Sequence, residues 1–389
     1  MLLICFFCFL FIFSSSKGQI SSVEKDLQFL SSDEMKGREN GSKELLIAAN
    51  YIAERFKEIG LKSPDFCENY LQTIELITVQ NQSKNLVLNN YSIPEDNIIL
   101  LSQNVRVFKN DTNDLKVFSV GEHDDIMNTF SQLTNYPRSY IVFVHPIHAK
   151  RFERLKRYFT TDKMQINKGT DHFSLWVKTK ESSIDNIQFS AVNNVEILSI
   201  FNVIGELKSE KSEDRKWIFS AHYDHIGIVN NAKEDSIANG ANDDASGVVS
   251  VIELARQFSS GPKPEKSIYF VAFAGEELGL YGSTYFATHH DLSEIEAMLN
   301  FEMVGEVNND LGPQSAYING YDLSYLPKDL ANNSDNETFM FFPDPYPNLN
   351  LFNRSDNAPF ATLGIPAHSI STYNEDDERY HKVNDEIEF

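Results

Sequence analysis

The sequence predicts an α/β fold, a sheet covered on both faces by helices, with a mostly β segment inserted. Three observations carry this. From about Asn194 onward, apolar runs alternate with stretches of helical spacing in a strand, loop, helix rhythm. Those runs, such as "SIYFVAFAG", are continuously apolar rather than alternating, which suits strands buried on both faces. Residues 86–194 break the rhythm: they are rich in Asn, Asp and Ser around short runs such as "NLVLNNYSI", "VRVF" and "SYIVFVHPI".

Taken in order, the chain opens with an apolar run from Leu2 to Phe13, followed by small residues and a polar exit. It is too short to span a bilayer but suits the apolar region of a signal peptide, although a basic start is missing. The expectation is a leader over 1–18, cleaved after Gly18, and a secreted or periplasmic protein. Cleavage would remove Cys5 and Cys8, leaving Cys67 alone and the mature chain without an internal disulfide. Any metal site must then use His and carboxylate.

Residues 19–85 and 195–389 are expected to form one discontinuous domain around the 86–194 insertion, a mostly β or lid subdomain. Ser22 to Lys62 reads as helical, with Leu45, Leu46, Ala49, Ile52, Ala53 and Phe56 on one apolar face and Gly60 as C-cap. Within the insertion, "HAKRFERLKRYF" reads as one basic amphipathic helix with a solvated face. Beyond it, Trp217–Ser220 reads as a strand running into "AHYDH", and "DDASGVVSVIELARQF" as a helix opened by Asp243 or Asp244. "KSIYFVAFAGEE", "AMLNFEMVG" and "LGIPAHSIST" supply further strands. The net charge of −22 argues against nucleic acid or an anionic membrane surface as partner. No second segment is long and apolar enough for a membrane span.

In such sheets chemistry gathers at the carboxyl ends of strands. There stand His222 and Asp224, then the adjacent pair Glu276 and Glu277, then Glu302, with Asp243 at a helix start and His381 near the chain end. Singly, each has an ordinary reading: a structural histidine, a helix cap, a solvent-facing acid. Together, imidazoles and carboxylates at several strand ends are what one or two zinc ions require. A divalent cation would also make two neighbouring glutamates favourable.

The motifs "SSDEMKGRENGS", "AHYDH", "GANDDASGV", "VAFAGEELGLYGS", "NFEMVG", "RSDNAPF" and "YHKVND" stand in the order and approximate spacing of the co-catalytic zinc aminopeptidases. That metallopeptidase family (clan MH) includes bacterial leucyl aminopeptidases, aminopeptidase Y and glutamate carboxypeptidase II. The resemblance covers roughly 25–70 and 195–389, and the insertion matches only loosely. It implies a zinc-exopeptidase fold with a mixed central sheet, two zinc ions per chain and peptide substrates. Position by position, it implies His222 and Glu302 as ligands of one zinc, Glu277 and His381 of the other, and Asp243 bridging both. Glu276 resembles the general base that takes a proton from a water shared by the zincs. Asp224 would hold the His222 imidazole, and Tyr380 would hydrogen-bond the developing oxyanion. The family also implies a cis Asp243–Asp244 peptide.

There are departures. Glu302 stands where many relatives have Asp, and "NDEIEF" ends the chain where relatives usually continue into another helix. Arg354 and Asp356 resemble a substrate-side loop, with a structural ion pair an equal reading for Arg354. His225, His145 and His368 read as structural or exposed, and the sequons at Asn40 and Asn353 as chance matches. Two other functions compete with a di-zinc exopeptidase: a single-zinc glutaminyl cyclase-like transferase, and a non-catalytic binding ectodomain of the transferrin-receptor kind. Since all five ligand positions and the base are filled, the exopeptidase reading leads.

Overall fold

The computed structural model describes residues 17–134, 136–160, 163–211, 215–229, 235–334 and 338–387. The expected leader, with Cys5 and Cys8, lies almost wholly outside them. No helix among the described residues is long and apolar enough to cross a membrane. The chain divides into two compact units, Met1–Ile74 with Ser199–Phe389, and Glu75–Leu198.

The first unit is built on a mixed sheet. Its strands run in the order Met340–Pro343, Ser315–Ile318, Ala367–Ser371, Ile295–Glu302, Lys216–His222, Ile268–Phe273 and the C-terminal part of Ile187–Leu207. Lys216–His222 is parallel to both its neighbours, pairing His222 with Phe273 on one side and Ser220 with Asn300 on the other. Ile187–Leu207 and Ser315–Ile318 pair antiparallel to their neighbours, Ile268–Phe273 and Ala367–Ser371. Because side chains alternate across a strand, each apolar run feeds two layers. Phe219 stacks on Phe258 of helix Gly247–Ser260, and Phe270 packs against the same ring at a tilt. On the opposite face, Ile218, Val271 and Phe273 pack with Phe286 of helix Tyr281–His289 and Phe360 of Asn357–Thr362. Both faces are covered, which is why these strands carry no polar alternation.

Helix Lys43–Ile59 starts at Ser42, whose hydroxyl accepts from Leu45 N–H, and stops at Gly60, left-handed at φ 93°. Its buried stripe is Leu45, Ala48, Ala49, Ile52, Ala53 and Phe56, whereas Leu46 is 38% exposed. The stripe follows i, i+3, i+4, i+7 from Leu45, and Leu46 falls one step off it. Cys67 is half-buried, and burial pushes its thiol up to about 12, so it stays an unreactive thiol.

The second unit holds a four-stranded sheet in the order Ile98–Ser102, Phe173–Lys178, Tyr140–Val144, Lys116–Val120. Among the described residues it holds two α-helices, Ile126–Leu133 and Ala149–Thr160, one more than the sequence suggested. Ile126, Leu133, Phe152 and Leu155 cover Trp176 and Val142 of the sheet. The basic helix is partly answered within the unit: Lys156 pairs with Asp96 at 2.7 Å and Arg151 with Asp125 at 3.5 Å.

Candidate metal centre

The parallel strands Ile268–Phe273, Lys216–His222 and Ile295–Glu302 end side by side, so their last residues and the loops beyond meet at one edge. His222 and Glu302 are the terminal residues of two of these strands, and Glu276 and Glu277 follow the third. Asp243 comes from the turn before helix Gly247–Ser260, and His381 from a loop near the chain end, at φ 58°.

The structure gathers these residues about Asp243, which is 2% exposed. Asp243 Oδ1 lies 3.2 Å from His222 Nε2, and Glu302 Oε1 is 3.4 Å from the same nitrogen. Asp243 Oδ2 lies 3.3 Å from His381 Nε2, and Glu277 Oε2 is 3.2 Å from that nitrogen. One carboxylate therefore faces two imidazoles with its two oxygens, and each side has a further carboxylate. Asp243 Oδ2 is buried without a hydrogen bond of proper geometry. The peptide between Asp243 and Asp244 is cis, as the family resemblance implies.

The surroundings fix each donor. His222 Nδ1–H donates to the carbonyl of Asp224 at 3.0 Å, which leaves Nε2 toward the carboxylates. The Asp224 carboxylate is farther from Nδ1, at 3.9 Å, and does something else. It accepts the N–H of Glu276 at 3.3 Å and of Glu277 at 3.2 Å, and the amide of Asn40 at 2.7 Å. The peptide units carrying the two glutamates are thus pinned by one buried acid. Asp244, rather than Asp243, serves the helix: its Oδ1 accepts Gly247 N–H at 3.2 Å and Met303 N–H at 2.9 Å. Asp243 is left free to face the histidines, while its own N–H and that of Asn242 go to Asp385 at 3.0 and 2.8 Å.

Ahead of this turn the chain must pass Gly240 at φ 60°, where a Cβ would meet Asp243 O at 2.2 Å and His225 Cδ2 at 2.7 Å. Only glycine fits. Arg38, fully buried, donates to the carbonyls of Tyr223, Asn239 and Gly240 at 2.7, 2.6 and 3.0 Å, and also to Leu30. It ties the N-terminal segment to the loops leading to Asp224 and Asp243. Burial lowers its pKa, opposed by the acids Asp385, Asp243, Asp224 and Asp244 around it.

The electrostatics are those of an acidic cage. Burial pushes the Glu276 carboxyl well above its usual range, with Glu302, Asp356 and Glu277 adding to the shift and His222 opposing it. Burial would also raise Glu277, but the His225 and His381 imidazoles bring it below its usual value. Burial acts against a charged His381, yet Asp243 and Glu277 carry it to about 10. Excess carboxylate thus draws positive charge to the positions between the side chains. The donor set is two imidazole nitrogens and three carboxylates with an orphaned buried oxygen among them, and it fits zinc chemically.

Tyr380 stacks on the His381 ring, 3.9 Å between centroids, and accepts from Arg354 Nη2 at 3.3 Å. Burial pushes its phenol upward, with Asp243 adding, so the O–H stays protonated. Four contributors lie inside the motifs but were given no role from them: Arg38 and Asn40 in "SSDEMKGRENGS", His225 in "AHYDH", and Asp385. The last stands inside the quoted "YHKVND" and was separable only by its contact with the Asp243 turn.

Residues 202–389 match the sequence profile of Peptidase family M28. A probable zinc metalloprotease of Pyricularia oryzae is 42% identical over 123 residues, 31% of this chain and 24% of that protein. Aminopeptidase YwaD of Bacillus subtilis is 35% identical over 108 residues, 27% of this chain and 22% of its own. The match thus spans about a quarter of the length of these curated relatives. Among solved structures, the aminopeptidase from Aneurinibacillus sp. strain AM-1 shares the fold, with a TM-score of 0.52 and 20% identity over 95% of this chain and 88% of that one. Over residues 202–389, just under half of its length, the chain is thus similar to Peptidase family M28.

Proposed function

We propose that the protein is a zinc-dependent aminopeptidase that hydrolyses peptide bonds at substrate N-termini, with two zinc ions per chain. The observation that supports this most is the buried Asp243 carboxylate, which faces His222 with one oxygen and His381 with the other. His222, Asp243 and Glu302 would hold one zinc, and Asp243, Glu277 and His381 the second. Bound there, zinc would polarise the scissile carbonyl and acidify water. Export from the cytoplasm, resting on the Leu2–Phe13 run, belongs to the same reading.

The chain's own groups complete the chemistry. Glu276, its peptide N–H held by Asp224, takes a proton from the attacking water and returns it to the leaving amine. Its raised pKa suits both halves of that exchange. Tyr380, protonated and braced by the His381 ring, donates to the oxyanion as it forms. Asp224 positions both glutamates through their N–H groups and His222 through its own carbonyl. A single-zinc cyclase needs only one of the two half-sites, whereas donors for both are present.

The reading predicts hydrolysis of a free aminoacyl reporter but not of its N-acetylated form. Activity should vanish on chelation and return with zinc. Equal cleavage of the blocked reporter, or full activity in metal-free protein, would contradict it.

A further inference from the structure

We propose that His225 is a positioning residue for the second half of the centre: it orients the Glu277 carboxylate so that one chosen oxygen is offered to the metal. This rests on reading Glu277 as a ligand. The two Glu277 oxygens face different partners. Oε1 lies 2.8 Å from His225 Nδ1, while Oε2 lies 3.2 Å from His381 Nε2. An ionised carboxylate only accepts, so the short contact requires a hydrogen on Nδ1. That hydrogen bond takes Oε1 out of competition and turns Oε2 toward His381 and Asp243. A carboxylate without it would be free to rotate or to chelate with both oxygens.

His225 is built for a fixed orientation. It is 1% exposed, and its N–H donates to Arg38 O at 3.3 Å. Gly240 lies against one edge of the ring, where a Cβ would come within 2.7 Å of Cδ2. The His381 ring meets it edge-on at 5.7 Å and 71°. Among the described residues its Nε2 is buried with no hydrogen-bond partner, and Nδ1 has a second carboxylate near it, Asp243 Oδ2 at 3.8 Å. The ring's polar contacts thus converge on the centre. Outer partners that hold a ligand in this way change metal affinity by about 10–100-fold when removed.

The test is a zinc titration of chelator-stripped protein against a chromophoric competitor, comparing the parent with His225→Phe and His225→Asn. Phenylalanine keeps the ring and loses both nitrogens, whereas asparagine restores an N–H near the Nδ1 position. The expected result is two zinc ions in the parent, one parental and one about 10–100-fold weaker site in His225→Phe, and recovery of the weak site in His225→Asn. A general packing defect would not weaken one site selectively. His225→Leu gives the same comparison should the phenylalanine variant fail to fold, with melting of the metal-free proteins as the check. Two parental affinities in His225→Phe would overturn the proposal. So would an asparagine variant as weak as phenylalanine, which would make His225 a ligand itself or mere packing. A parent that takes up no zinc would instead overturn the reading of the centre, and this proposal with it.

Discussion

Glu276→Gln is expected to keep the parental zinc content and to lose about 10²–10⁴-fold in turnover, the usual worth of a positioned acid–base group. The substitution is close to isosteric and leaves the main-chain hydrogen bond to Asp224 at 3.3 Å in place. Among the described residues Glu276 makes no ion pair with a histidine, whereas His222 and His381 face Asp243, Glu302 and Glu277. Burial raises the Glu276 pKa, so the wild-type group exchanges a proton more readily than an exposed glutamate would, and an amide exchanges none. Rates on the aminoacyl reporter with zinc measured in the same samples check this. A variant retaining most of its turnover would remove Glu276 from the mechanism, and one that loses zinc would make it a ligand.

Asp243→Ala should be the most damaging change to the centre, because one side chain serves both halves. Each of its oxygens lies within 3.3 Å of a different histidine nitrogen. Alanine removes both donors and leaves His222 and His381 with one carboxylate each. The loss should exceed the roughly 10–100-fold that removal of an outer partner costs, and it should appear at both sites. The backbone anchors through Asp385 are unchanged by the substitution, so the metal-free protein should still fold cooperatively. Zinc analysis after dialysis, with a melt of the metal-free protein, checks it. One zinc held at parental affinity would show that Asp243 serves one half only.

How much of this was legible in sequence depends on how far a residue's role reduces to its own type and position. Strands buried on both faces announce themselves as continuous apolar runs, so the layered sheet and the edge where its parallel strands end could be read directly. Acids and imidazoles placed just past those ends then had to come together. What could not be read was the phase of a stripe and the choice among chain-distant partners. Leu46 is as apolar as Leu45, and only the packing puts it in solvent at 38% exposure. Asp243 and Asp244 were equivalent candidates for the helix start, and three-dimensional contacts assign that work to Asp244. Asp224 was expected to hold the His222 ring by its carboxylate, but its carbonyl stands closer to the ring nitrogen. Its carboxylate instead gathers the N–H groups of Glu276 and Glu277. Arg38 and Asn40 stand in the "SSDEMKGRENGS" motif but reach partners roughly two hundred residues away in the chain, and the motif does not say which ones. The helix Ile126–Leu133 was missed because a short segment of mixed, mostly uncharged residues carries too little periodicity to stand out.

Anomalous scattering at the zinc edge, from crystals grown with zinc, bears most directly on the centre. Two peaks are predicted, one among His222, Asp243 and Glu302, the other among Asp243, Glu277 and His381. Anomalous density absent from both sides of the Asp243 carboxylate, or a single ion bound elsewhere on the chain, would contradict the account.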